Sequence, residues 1–116
     1  MKHNSNFEYD LHLGVLGEKL VKGIFKNPDK VEVKTDFKAK DTGNVFVEYE
    51  SRGKLSGIST TKAEWYCFVL SNENVIFLKT KKLKELCKKK GLERKSGGDK
   101  NTSKGILLPI KQLIKL

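Results

Sequence analysis

The sequence predicts an α/β domain, a mixed β-sheet flanked by helices, and three features carry that expectation. Apolar residues recur every three or four positions across 10–25, period-two alternation runs through 31–37 and 44–51, and apolar runs at 66–70 and 75–78 precede an amphipathic segment at 81–90. A chain of 116 residues, 37% of them hydrophobic, is long enough for one domain (1–116) with a modest core. No internal repeat or second domain is visible.

The first helix is predicted over 10–25, with Leu13, Leu16, Leu20 and Ile24 on one stripe and Asp10 as N-cap. Asn27-Pro28 ends it, because the residue before a proline is pushed out of the helical region. Glu18 lies on the border of the stripe, seven residues from both Leu11 and Phe25. The first strand, 31–37, sets Val31, Val33 and Phe37 on one face and Glu32, Lys34 and Asp36 on the other. Turn formers Asp41 and Gly43 lead to a second strand, 44–51, and the two strands read as a β-hairpin.

Thr61 to Glu64 has the spacing of a capping box and predicts a short helix. The runs 66–70 and 75–78 suggest a buried hairpin, although the first run equally suits an extension of that helix. Thr80 caps a helix over 81–90 that stops at Gly91, with Leu83, Leu86 and Cys87 inward and the lysines outward. Residues 91–105 are cationic, glycine-rich and aperiodic, which predicts a flexible loop. An edge strand at 106–110, with Pro109 excluding a central position, and a short helical turn complete the chain.

Composition narrows the function classes. Against 14 acidic residues stand 24 lysines and arginines, a formal net charge of +10. Such a surplus favours a polyanion, because neutralised phosphates release condensed counterions, so nucleic acid is the expected partner. The longest apolar stretch, 65–70, falls far short of the roughly 18–20 residues that span a bilayer, so no membrane segment is expected. Residues 1–10 hold no apolar signal segment, and a cytoplasmic location is expected. Cys67 and Cys87 lack metal-site spacing and read as buried small hydrophobes.

Within this cationic chain, carboxylates gather. Pairing the two strands with Asp36 near Phe46 sets Lys34 opposite Glu48 and makes Asp36 the diagonal neighbour of Glu48. Two hard oxygen ligands suit Mg²⁺, which takes one or two carboxylates together with water and substrate phosphate. Glu32 competes with Glu48 for the ligand role. The alternative for Asp36 and Glu48 is a solvent-facing strand edge whose charges deter aggregation.

A helix bearing Glu18, a strand ending in Asp36 and a strand carrying Glu48-Tyr49-Glu50 together resemble the PD-(D/E)xK nuclease superfamily. The stretch 42–58 is similar to small phage-encoded and Holliday junction resolvase-like members. The resemblance implies a restriction-endonuclease-like core and Mg²⁺- or Mn²⁺-dependent hydrolysis of DNA phosphodiesters. It further implies a branched-DNA substrate in recombination, a homodimer, and the cytoplasm of a bacterial or phage-infected cell. Asp36 and Glu48 inherit the metal-ligand roles and Glu18 an assisting one. The pattern departs twice: Thr35 stands where the motif proline is expected, and Glu50 stands where the motif lysine is expected. Lys34 is then first choice for the missing positive charge, with Lys54 and Lys62 behind it. Phosphate contacts are expected from Arg52, Lys54, Lys62, Lys88, Lys89, Arg94, Lys95 and Lys100. The rival is a non-catalytic, basic nucleic-acid-binding module.

Overall fold

The computed structural model describes residues 2–97 and 102–116, with side chains described for 7–92 and 102–116. It is an α/β structure with two small sheets in place of one. In the first sheet, β1 (Val31–Thr35), β4 (Trp65–Val69) and β5 (Val75–Lys79) lie in the order β1-β4-β5, β1 parallel to β4 and β5 antiparallel to it. The second is antiparallel: β3 (Lys54–Leu55), β2 (Asn44–Ser51), β7 (Ser103–Pro109) and β6 (Leu92–Gly97), in the order β3-β2-β7-β6.

The hydrophobic core lies between the sheets. Val45 and Val47 of β2 and Leu108 of β7 meet Tyr66 and Phe68 of β4, and α3 (Thr80–Lys90) adds Leu83. Phe68, Leu83 and Leu108 are fully buried, each worth about 1.5–3 kcal/mol of transfer free energy. Leu86 and Cys87 pack against this core, while Lys84, Lys88 and Lys89 face water, as the helical spacing predicts. The hairpin β4–β5 and the bounds of β2 also match the sequence reading.

Five elements differ. Helix α1 spans Lys2–Lys26, so Asp10 is interior to it and caps nothing; neither proline nor glycine precedes Gly14 to stop the helix earlier. The strands expected to form a hairpin, β1 and β2, lie in different sheets. A short α2 (Ala39–Thr42) and Gly43, at φ 79°, redirect the chain between them, and β2 pairs instead with the apolar run Ile106 to Leu108 of β7. Residues 61–64 form no helix. The Thr61 hydroxyl accepts the Ala63 N–H at 3.1 Å, and the Glu64 backbone is engaged elsewhere, its N–H donating to Lys30 O and its carbonyl accepting the Thr80 N–H.

Six residues of the expected loop at 91–105 form β6, held in the ladder by β7, and the last three residues of that span begin β7 itself. The last strand, β7, is interior to its sheet. Pro109 is tolerated there because it is the terminal residue of the ladder, opposite Asn44.

Candidate active-site cleft

Register explains how carboxylates come to lie beside the core. In the parallel pair, Glu32 is opposite Tyr66 and Lys34 opposite Phe68, so the polar face of β1 is the face that continues into the core. Val33, on the other face, is 57% exposed, and Ile24 and Phe25 of α1 line the same apolar hollow as Val31 and Val33. Asp36 follows β1 directly. Its N–H donates to Val69 O at 2.9 Å, and its Oδ2 accepts the Phe46 N–H at 3.1 Å, which ties the end of the first sheet to the second.

Glu48 stands two residues beyond Phe46 on β2. Its Oε1 accepts the Ser103 hydroxyl at 2.6 Å and its Oε2 the Ser56 hydroxyl at 2.8 Å. Ser103 is only 4% exposed, so one of these donors is removed from water. Ser56 is delivered by a tight approach: Gly57, at φ 53°, leaves no room for a Cβ, which would collide with the Glu48 carbonyl oxygen. Lys34, Asp36, Phe46, Glu48, Tyr66 and Phe68 line a single cleft of about 180 Å³.

The proximity of Asp36 to Phe46, and of Lys34 to Glu48, is therefore present without the hairpin that was expected to create it. Lys34 Nζ lies 3.8 Å from Glu32 Oε2, while Glu32 Oε1 accepts the Thr61 hydroxyl at 3.3 Å. Glu32 does not line the cleft. Neither does Glu50: a bulge between Glu48 and Glu50 breaks the alternation, and the Glu50 carboxylate pairs with Lys104 Nζ at 3.2 Å. Glu18 is exposed on α1, whose end packs on the opposite face of the first sheet, and the structure does not bring it to Asp36 and Glu48.

Comparison with known proteins finds no matching family model, curated protein or solved structure. Chemistry is thus read from the cleft itself. Among the described residues no group of three or more His, Cys, Asp or Glu side chains converges to hold a metal ion, so the cleft offers two carboxylates and one ammonium. At its base the Tyr66 hydroxyl is buried without a hydrogen-bond partner, the residue being 1% exposed. Burial first, and the Glu32 carboxylate second, push its pKa up to about 12. Thr61 offsets this only in part, because its hydroxyl proton is directed to Glu32 and no bond of acceptable geometry reaches the Tyr66 oxygen.

Burial also raises both thiols, Cys87 to about 11, so neither is a ready nucleophile or metal ligand. Arg52 and Lys54 flank the β2–β3 turn, Lys62 precedes β4, and Lys88 and Lys89 sit in the last turn of α3, all exposed. Lys100 and the Arg94 and Lys95 side chains lie outside the described residues. Ser56 and Ser103 went unnoticed in the sequence. A serine in a turn and another in a presumed loop carry no local signal that they reach one carboxylate from opposite sides.

Proposed function

We propose that this chain is a Mg²⁺- or Mn²⁺-dependent DNA endonuclease with a restriction-endonuclease-like core, hydrolysing phosphodiesters of branched DNA such as a four-way junction. One observation supports it above all: Asp36, Glu48 and Lys34, from two different sheets, line one cleft in a chain of net charge +10. The donor set fits a hard cation. Asp36 uses Oδ2 for the Phe46 N–H and keeps Oδ1, and each Glu48 oxygen that accepts one hydroxyl retains a second lone pair. One or two carboxylates, with the remaining positions left to water and phosphate, is the usual protein share of a Mg²⁺ site.

Bound there, the ion supplies Lewis-acid polarisation of the phosphoryl group and a lowered pKa for water. The chain supplies the rest. Phe46 N–H fixes the Asp36 carboxylate, two serine hydroxyls fix that of Glu48, and the Lys34 ammonium on the same cleft is the cation available to offset negative charge that builds on phosphorus during attack. Exposed lysines and Arg52 hold the sugar-phosphate backbone.

The test is cleavage of labelled linear, single-stranded and four-way DNA in Mg²⁺, Mn²⁺ or EDTA. Asp36→Asn is the informative variant, because its amide oxygen still accepts the Phe46 N–H. Metal-dependent cutting lost in Asp36→Asn supports the nuclease. DNA binding without cutting in any metal overturns it in favour of a basic binding module.

A further inference from the structure

A second hollow lies on the other face of the first sheet. Successive residues of a strand point to opposite faces, so Tyr66 enters the core beside the cleft and Trp65 faces α1. There Lys19 of α1, Asn27 and Lys30 just after it, Glu64 and Trp65 where β4 begins, and Lys79 at the end of β5 line a hollow of about 310 Å³. It shares no residue with the cleft. From Val31, opposite Trp65, to Asp36 is five residues, about 17 Å at the rise of a strand.

We infer that this hollow holds one unpaired nucleotide of single-stranded DNA, its base on the Trp65 indole and its phosphate on Lys19 and Lys30. That the strand is DNA rests on the function proposed above; the nucleotide is read from the hollow itself. Three observations select it. First, Lys79 Nζ stands over the Trp65 ring, 5.7 Å from its centroid, so the half-buried indole turns a π-face to the hollow. A base that takes the place of this ammonium keeps the aromatic contact and frees Lys79 for phosphate. Such stacking strengthens binding by roughly 5- to 150-fold per base.

Second, the cations are unspent. Among the described residues the ion pairs are Lys34–Glu32 and Lys104–Glu50, so no carboxylate neutralises Lys19, Lys30 or Lys79. Third, the hollow also carries acceptors, which a site for phosphate alone does not need. Glu64 supplies a carboxylate, and Asn27, whose Nδ2 donates to Gly23 O at 3.4 Å, keeps Oδ1 for the N–H groups on the edge of a base. The volume, about 310 Å³, is at the lower end of the roughly 300–1,000 Å³ of ligand pockets and suits one nucleotide. A duplex covers both faces of every base with its neighbours, so only an unpaired base can lie on Trp65.

Trp65 is the one tryptophan of the chain, so quenching of its fluorescence reads the stacked base directly. The probe is a single strand of about 12 nucleotides in EDTA, set against an abasic strand, a duplex and a matched RNA strand of the same length. We expect the single strand to quench, and the abasic strand and the duplex to bind without comparable quenching. By anisotropy of the labelled single strand, Lys19→Gln/Lys30→Gln weakens binding about 10-fold or more and lowers the salt slope by about 1.4, with an unchanged far-UV spectrum. Trp65→Leu weakens it at least about 5-fold and Trp65→Phe by less, since a ring remains. Equal quenching by the abasic strand or the duplex overturns the inference, as does an unchanged affinity of Lys19→Gln/Lys30→Gln. Tighter binding of the RNA strand assigns the hollow to RNA and overturns it equally. Because metal is absent, the titration is blind to cleavage: a chain that cuts nothing can still quench, and a chain that does not quench can still cut.

Discussion

Ser103→Ala isolates what holds Glu48 in place. The hydroxyl donates to Glu48 Oε1 over 2.6 Å, a short bond to an ionised acceptor, and Ser103 is 4% exposed, so water does not readily replace it. A hydrogen bond to a charged group contributes about 1.5–3 kcal/mol net, and the half-buried state of Glu48 puts the expected loss near 2 kcal/mol. For a chain of this size that is a fall in Tm of roughly 6–10 °C. Ser56→Ala removes the longer bond, 2.8 Å, from a more accessible hydroxyl, and about 1 kcal/mol is expected. Urea denaturation of Ser103→Ala, Glu48→Ala and the double variant gives the coupling energy directly. A Ser103→Ala loss below about 0.5 kcal/mol, or additive single variants, would refute the claim that the serine and the carboxylate act as a unit. If Glu48 is a ligand, the same variant raises the Mg²⁺ concentration for half-maximal cleavage about 10-fold or more, as loss of a group that orients a ligand does.

Three further outcomes are expected. Gly57→Ala, at a φ of 53° and against the Glu48 carbonyl, costs about 2–4 kcal/mol by urea denaturation, and a cost under 1 kcal/mol contradicts the close approach. Stability falls on the alkaline side: Tyr66 moves from 10.0 to about 12 and Cys87 from 9.0 to about 11 on folding. The folded state therefore binds more protons than the unfolded state in that range, and stability complete below about pH 9 declines between about pH 9 and 12, by about 2 kcal/mol for Tyr66. Tyr66→Phe flattens the part above pH 10, and a profile unchanged by it refutes the assignment. The logarithm of the DNA-binding constant is expected to fall linearly with log salt, Lys54→Gln to lower the slope by about 1, and a flat salt response contradicts phosphate-dominated binding.

Where local chemistry decided, the elements were legible. The alternation of β2 is bounded by Gly43 and by the Arg52-Gly53 pair, both at positive φ, so its limits follow from the chain itself. Partner choice is non-local and was not legible: β1 and β2 are adjacent in sequence, yet each finds a more apolar strand elsewhere, in β4 and β7. The capping-box reading of Thr61 failed because the Glu64 N–H that its hydroxyl would accept is donated instead to the Lys30 carbonyl, 34 residues away in sequence. In β6 only Leu92 and Gly97 bracket polar residues, a pattern without strand periodicity that exists as a strand because β7 offers an open ladder.

The carboxylates raise a sharper question, since charges that guard a strand edge need no ligand to explain them. Glu48 does not match that role. An edge guard is hydrated and free, whereas β2 is paired to β7 along its length and Glu48 is gripped by two hydroxyls, one of them buried. Asp36 is closer to a structural explanation, because its Oδ2 satisfies the Phe46 N–H. That duty uses one oxygen, and an asparagine performs it without adding negative charge to the cleft that holds Glu48. Two carboxylates brought to one cleft repel, and the Lys34 ammonium that lines the same cleft pairs at 3.8 Å with Glu32, outside it. The cation proposed for Asp36 and Glu48 would remove that imbalance, and Asp36→Asn tests it, because the variant keeps the structural duty and loses the charge.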